Sequence, residues 1–258
     1  MSRLKDKLSL SSKYSQQNSP FLIQTTGTTI ALNLSEVRMK TLIVYQSNYG
    51  QTQKIAEKME AELKLSMKTD DELDILELSK HQSLEKINYP VDRIIVGTPV
   101  YTSRFPKQIL KWMGVNSELL KSTEVNFFTV SLNAADPNPS ARKADDYLLL
   151  KLCEQSSLTP SFVASFAGSL EYTKYGFIIK FIMKRISRKA GGPTDTSKNH
   201  EMTNWKMVSD FVSAINKNDV RSEFYFQNRF LSELNPQLND SRYQTRVKDI
   251  LSGRPVCS

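Results

Sequence analysis

Apolar residues in segment 39–217 follow two alternating patterns. Short continuous apolar runs are typical of strands buried on both faces of a parallel sheet, and between them apolar residues recur at helical spacing. The predicted strands are Thr41–Tyr45, Leu73–Leu78, Arg93–Gly97, Val125–Ser131 and Phe162–Gly168. Leu73–Leu78 alternates between apolar and polar residues, which predicts a position nearer an edge of the sheet. The predicted helices are Gln51–Leu65, Pro106–Lys121, Ala141–Gln155 and Thr203–Ile215. This alternation predicts an α/β domain, a doubly wound parallel sheet with helices on both faces.

Two segments flank this predicted domain and lack its pattern. Residues 1–38 are rich in Ser, Thr, Asn and Gln. We predict that they are mostly disordered, with a short strand near Phe21–Gln24, or that translation starts at Met39 instead. In residues 218–258 we predict two short helices, one on each side of Asn235-Pro236. The residues of this segment do not indicate a catalytic or binding role.

The positive charge of the chain is concentrated in one place. The 258 residues have a net charge of +8, yet Lys174–Lys189 alone contain six basic residues and no acidic one. The rest of segment 39–217 is slightly acidic. Because nucleic-acid-binding proteins usually spread Lys and Arg over a broad face, this distribution argues against a nucleic-acid partner.

Cysteine and histidine are too scarce for several classes of protein. The chain has two Cys, at positions 153 and 257, and two His, at positions 81 and 200. They exclude a disulfide scaffold and a thiolate metal cluster, and we predict no metal site. The longest apolar run falls well short of the roughly 20 residues that a membrane-spanning helix needs.

The turn after the first predicted strand has the features of a phosphate site. In Ile43–Thr52 (IVYQSNYGQT) a buried strand leads into a helix through hydroxyl and amide side chains and one glycine. Backbone N–H groups at a helix N-terminus bind phosphate. The turn has no Lys or Arg, which excludes a Walker A loop, and it lacks the Gly-x-Gly-x-x-Gly pattern of dinucleotide-binding turns. The predicted phosphate ligands are Ser47, Asn48, Tyr49, Gly50, Gln51 and Thr52.

This segment resembles the FMN-phosphate signature of flavodoxins. The resemblance implies FMN as cofactor and a five-stranded flavodoxin-like sheet of order 2-1-3-4-5, with the ligand at the carboxyl ends of the strands. The loops after the third and fourth strands would then complete the site. Tyr101 either stacks on the isoalloxazine ring or is a surface tyrosine, and the Asn133 loop would reach the polar edge of the ring. These loops add Thr98, Pro99, Val100, Tyr101, Thr129, Val130, Ser131, Leu132 and Asn133 as cofactor-binding candidates.

An insertion of about residues 170–200 precedes the last predicted helix and contains a basic amphipathic helix. Such a helix either lies on an anionic membrane surface or packs its apolar face on the domain and leaves its charges in water. The second interpretation would leave Phe177 and Phe181 exposed among the charges. The apolar face consists of Ile178, Ile179, Ile182, Met183 and Ile186, and the basic face of Lys180, Lys184, Arg185 and Arg188.

The phosphate turn, the strand pattern and the insertion together resemble the bacterial flavodoxin-type, menaquinone-dependent protoporphyrinogen oxidases. The matching stretches of the insertion are Phe177–Lys184 (FIIKFIMK) and Gly191–Thr196 (GGPTDT), followed by Thr203–Trp205 (TNW). This resemblance implies oxidation of protoporphyrinogen IX in haem biosynthesis, a membrane quinone as acceptor, and peripheral attachment to the cytoplasmic face of the cell membrane. The four basic residues would then contact anionic lipid or substrate carboxylates.

Two other functions are compatible with the same fold. One is a soluble flavodoxin that shuttles electrons, against which the net positive charge and the basic insertion argue. The other is an interaction module that has lost its cofactor, against which the intact turn Ser47–Thr52 argues. Because FMN supplies the redox chemistry, no catalytic side chain is predicted.

Overall fold

The structure of the protein is a computed structural model, and its contacts divide the chain into units 1–38 and 39–258. The residues described are 21–25, 28–32, 38–78, 86–101, 104–136, 139–156, 158–189 and 191–224. In the first unit, β1 (Phe21–Thr25) and β2 (Thr28–Leu32) form an antiparallel hairpin, so the short strand expected there is present. The disorder predicted for the rest of this unit and the two C-terminal helices lie outside the described residues.

The second unit is built on a parallel five-stranded sheet. Its order is β4-β3-β5-β6-β7, which confirms the predicted order 2-1-3-4-5. Side chains of the central strand β5 alternate between two apolar clusters, with Ile94 and Val96 on one face of the sheet and Ile95 on the other. The strands are β3 (Lys40–Tyr45), β4 (Glu72–Glu77), β5 (Arg93–Pro99), β6 (Glu124–Ser131) and β7 (Val163–Ala167).

Helices cover both faces of the sheet. The first and last helices pack on one face, and the three helices that follow β5 and β6 pack on the other. The single helix predicted over Pro106–Lys121 is wrong, because it breaks at Asn116, whose side-chain oxygen accepts a hydrogen bond from Ile87 N at 2.7 Å. The helices are α1 (Gln51–Ser66), α2 (Lys107–Val115), α3 (Ser117–Ser122), α4 (Pro139–Ser156), α5 (Phe177–Lys189) and α6 (Trp205–Lys217).

The insertion projects from the carboxyl edge of the sheet. Its two ends pair as short antiparallel strands, β8 (Ser169–Leu170) and β9 (His200–Glu201). Helix α5 lies between these two strands in the chain, so the pairing closes the segment that contains it. After α5 the chain turns back through Gly191, which has a positive φ of 70°. The predicted basic helix is therefore present as α5, anchored at both ends to the domain.

The chain packs on the sheet beyond α6 as well. Residues after α6 turn back along the edge of the sheet, where Val163 N donates to Phe224 O at 2.7 Å. The ring of Phe224 meets the ring of Phe211 edge to face, with centroids 5.4 Å apart. This contact partly covers the outer edge of β7.

Candidate functional site

The loop between β3 and α1 turns sharply into the helix. Gly50 adopts the left-handed conformation, with φ 99° and ψ −12°, and its N–H donates to Ser47 Oγ at 3.0 Å. Because the N-terminus of a helix has a partial positive charge, free N–H groups there suit an anion. Around this turn, the backbone N–H groups of Ser47, Asn48, Tyr49, Gln51, Thr52 and Gln53 have no hydrogen-bond partner among the described residues.

A cavity of about 480 Å³ opens beside this loop, at the carboxyl edge of the sheet. The loops after β3, β5 and β6 all reach it, as expected when parallel strands end at one edge. The predicted cofactor residues that line the cavity are Asn48, Tyr49, Gln51, Thr52, Pro99, Val100, Tyr101, Val130, Ser131, Leu132 and Asn133.

Four other predicted cofactor residues are not part of the cavity lining. Ser47 and Gly50 shape the turn through their mutual hydrogen bond. Thr98 and Thr129 are fully buried because they lie within strands rather than in the loops beyond them. The Thr98 hydroxyl donates to Pro99 O at 3.3 Å, and the Thr129 hydroxyl is 2.9 Å from that of Ser165.

Three tyrosine rings meet at the mouth of the cavity. The ring of Tyr49 stands edge to face against Tyr101 at 5.9 Å and against Tyr175 at 4.8 Å. Burial raises the pKa of the Tyr101 hydroxyl above its usual range. Tyr101 thus belongs to an aromatic group at the cavity, although its side chain is still 37% exposed.

The loop after β6 is held by a carboxyl group that the sequence did not single out. Asp145 of α4 is completely buried and accepts hydrogen bonds from the Ser131 hydroxyl and from Asn133 Nδ2, the latter at 3.0 Å. The Ser131 hydroxyl also accepts from Ala134 N at 3.0 Å. Burial raises the pKa of Asp145, and the two side-chain hydrogen bonds only partly oppose this.

A buried amide oxygen beside the phosphate loop lacks a partner. Gln51 Nε2 donates to Glu201 Oε1 at 2.8 Å and to Thr203 Oγ1 at 2.7 Å, which fixes the orientation of the amide. Gln51 Oε1 is then buried with no hydrogen-bond partner among the described residues. Because an unsatisfied buried acceptor is costly, the cavity wall favours a ligand that brings a hydrogen-bond donor, such as a hydroxyl group.

The insertion forms the second wall of the cavity, which sequence reasoning missed. Tyr175, Ile179, Met183 and Ile186 line this wall, and Gly168 and Ser169 lie at its base. The available signal was the position of Gly168 and Ser169, the last residue of the fifth predicted strand and the residue after it, at the ligand-binding edge.

The predicted apolar face of α5 divides into two strips. The inner strip, Ile179, Met183 and Ile186, faces the cavity. Ile178 and Ile182 do not line the cavity and adjoin both phenylalanines, so only part of the predicted apolar face borders the cavity, and Ile179 and Ile186 are themselves 43% and 47% exposed. The four residues that do not line the cavity form the outer strip of α5, Phe177, Ile178, Phe181 and Ile182, whose exposed fractions are 88%, 72%, 64% and 48%.

The four basic residues of α5 lie beside these strips. Lys180 and Lys184 are half-buried and adjoin Met183 along the helix, whereas Arg185 and Arg188 are exposed. None of the four forms an ion pair with another residue in the described part of the chain. Their charge is therefore available to an external anion.

Residues 42–197 match the family model described as Flavodoxin domain. The chain belongs to this flavodoxin family. The strand order found here is that of a flavodoxin-like fold, and this family member is an FMN oxidoreductase. Flavodoxin 1 of Bacillus cereus is a structural neighbour at a TM-score of 0.43 and 14% identity, covering 69% of this chain and 97% of that one.

Two curated relatives have the same name. The chain is 28% identical over 177 residues to the protoporphyrinogen IX dehydrogenase (quinone) of Escherichia coli K12, covering 69% of this chain and 94% of that protein. It is 25% identical over 174 residues to the protein of that name from Leishmania major, covering 67% and 73%. Among the described helices of this flavodoxin, none is both long and apolar enough to cross a membrane.

The cavity of this flavodoxin fits FMN. The free N–H groups of the turn at Gly50 suit the phosphate, and Gln51 Oε1 suits a hydroxyl of the ribityl chain. The apolar residues beside Tyr101 suit the isoalloxazine ring. The residues present would hold all three parts of the cofactor.

Proposed function

We propose that the protein oxidises protoporphyrinogen IX to protoporphyrin IX in haem biosynthesis and passes the electrons to a membrane quinone such as menaquinone. The names of the two curated relatives support both the substrate and the acceptor. The structural observation behind the proposal is the second wall of the flavin cavity, in which Ile179, Met183 and Ile186 line one side. A tetrapyrrole and a quinone ring both present large apolar surfaces that such a wall contacts well.

FMN, when bound, supplies the redox chemistry by taking electrons from the substrate and giving them to the quinone. The chain binds and orients the reactants. The phosphate loop and Gln51 would hold the cofactor from one side of the cavity, and Asn133, fixed by Asp145, would hold it from the loop after β6. The inner strip of α5 and Tyr175 would give the docked substrate an apolar surface to contact.

We infer that α5 attaches the protein peripherally to the cytoplasmic face of the cell membrane. The outer strip of α5 exposes two phenylalanine and two isoleucine side chains, which suit the boundary between lipid headgroups and acyl chains. Arg185 and Arg188 beside it suit anionic headgroups, and Lys180 and Lys184 suit lipid phosphates or the carboxylates of the substrate. Because the other side of α5 lines the cavity, an apolar quinone would reach the flavin along this one helix.

An anaerobic flavin-reduction assay tests the catalytic proposal. Protoporphyrinogen IX added to the FMN-loaded protein should bleach the absorbance of oxidised flavin, and menaquinone should restore it. If protoporphyrinogen does not bleach the flavin, but menaquinone restores the absorbance of flavin reduced with dithionite, the quinone remains as acceptor and the proposed substrate is overturned. Failure of both steps, together with rapid one-electron exchange with a soluble redox protein, would instead support an electron-shuttle flavodoxin.

A further inference from the structure

The phosphate loop of this chain has no charge of its own. Segment Ser47–Thr52 contains no Lys or Arg. A phosphate monoester has close to two negative charges at neutral pH, since its second pKa is about 6. Neutral N–H groups and the helix N-terminus bind such a group, but a cation nearby binds it more strongly.

The insertion places a cation against this loop. Lys174, which precedes α5 in the sequence, donates from Nζ to the carbonyl oxygen of Tyr49 at 2.9 Å. The same Nζ lies 3.2 Å from the position that a Cβ atom at Gly50 would occupy. The ammonium group therefore lies directly on the backbone of the turn, in contact with a residue far away in the sequence.

A buried carboxylate holds Lys174 in this position. Glu171 is almost completely buried and lies 3.4 Å from Lys174 Nζ and 3.7 Å from Lys54 Nζ. Ser169 and Asn199 donate to its oxygens at 2.7 and 2.8 Å. Burial opposes ionisation of Glu171, but the Ser169 hydrogen bond and the two ammonium groups outweigh it and lower its pKa. Two lysines thus share the carboxylate of Glu171, and Lys174 is the one whose ammonium group also contacts the backbone of the loop. The carboxylate of Glu201, which accepts from Gln51, contacts the same loop.

We propose that Lys174 is a cofactor-binding residue that supplies the cation missing from the phosphate loop, with Glu171 as its positioning residue. The ammonium group stabilises the FMN phosphate from the insertion, whereas phosphate loops with a lysine supply it from their own sequence. The proposal goes beyond the catalytic function, because it concerns selection of a phosphorylated flavin over a flavin without phosphate.

Paired flavin titrations test the role of Lys174. Apo-protein is titrated with FMN and with riboflavin, and binding is followed by quenching of flavin fluorescence. We expect Lys174→Met to weaken FMN binding about tenfold, in the range of one charge-assisted contact at a half-exposed site, and to leave riboflavin binding unchanged. Lys174→Arg should retain most of the affinity for FMN. Lys198→Met, which removes the same charge from an exposed insertion residue paired with Asp195, should change neither.

The outcomes separate this inference from the flavin site itself. If Lys174→Met weakened FMN and riboflavin equally, the residue would have only a structural role, and the proposal would be overturned. The proposal would also be overturned if Lys174→Met left the binding of both flavins unchanged. A wild-type protein that binds neither flavin would overturn the flavin site, whatever the substitution does. The salt dependence of FMN affinity should also be smaller in Lys174→Met than in wild type.

Discussion

Asp145 combines full burial with a direct role in shaping the cofactor loop. Its carboxyl group accepts hydrogen bonds from Ser131 and Asn133, and both residues line the cavity. A buried carboxyl group is costly to ionise, and the hydrogen bonds from Ser131 and Asn133 only partly compensate. Neither Asp145 nor Lys174 is recognisable from the sequence, because each acts across a distance in the chain that no local motif spans.

The raised pKa of Asp145 predicts a pH dependence of stability. The folded chain binds this proton more tightly than the unfolded chain, whose carboxyl group has a pKa near 3.8. The resulting stabilisation is therefore complete below pH 3.8 and is lost as pH rises through the folded-state pKa. In Asp145→Asn this dependence disappears, so the free energy of unfolding of the variant should improve relative to wild type as pH rises from about 4 towards neutrality, by about 1.4 kcal/mol per unit of pKa shift.

Urea unfolding at a series of pH values measures this difference. The matched control is Asp70→Asn, the same chemical change at an exposed aspartate, for which we expect a constant difference from wild type. A pH-independent difference for Asp145→Asn would contradict the assignment of a raised pKa.

The predictability of each element depends on how much of its surface is buried. Strands β5 and β6 bury both faces, so short runs of mostly apolar residues were enough to locate them. Helix α5 has apolar residues around more than half of its circumference, and its pattern alone does not say which of them face the protein. The cavity decides this, because it receives Ile179 and Met183 and leaves Phe177 and Phe181 outside.

The outer strip of α5 should contribute to membrane binding and little to stability. A double substitution, Phe177→Ser with Phe181→Ser, removes two largely exposed rings. The free energy of unfolding should therefore change by less than about 0.5 kcal/mol for each ring, as for other surface positions. Binding to vesicles that contain anionic lipid should fall at least about tenfold, since each ring loses its burial in the bilayer interface.

Vesicle sedimentation and thermal unfolding together measure these two effects. Leu65→Ser is the control, because Leu65 is also 88% exposed but lies on α1, and it should leave vesicle binding intact. Unchanged vesicle binding by the phenylalanine variant would remove α5 as the membrane contact. A stability loss of several kcal/mol would show that the rings pack on protein instead.

At the scale of the whole molecule, the flavodoxin domain and its insertion form one structure. The insertion is bound to α1 and to the phosphate loop through Gln51, Lys54 and Lys174, and it contains the basic cluster that dominates the net charge. Sequence patterning located the domain well because its core is local to strands and helices. The contacts between the insertion and the loop could not be predicted from the sequence, because they join residues more than 100 positions apart.

The described residues after α6 should add to the stability of the domain. Phe224 is 95% buried, its ring contacts Phe211, and its carbonyl oxygen accepts the hydrogen bond from Val163 N on the edge strand β7. A chain that ends at Asn218 loses this ring and frees the edge of β7, whereas one that ends at Phe224 keeps both. Loss of a buried phenylalanine costs about 3–5 kcal/mol, so the shorter chain should unfold about 10 °C lower, at roughly 2–4 °C per kcal/mol for a domain of this size. Phe224→Ala in the full-length chain should reproduce most of this loss in calorimetry. Equal melting temperatures for the two truncated chains would mean that residues 219–224 add nothing to the domain.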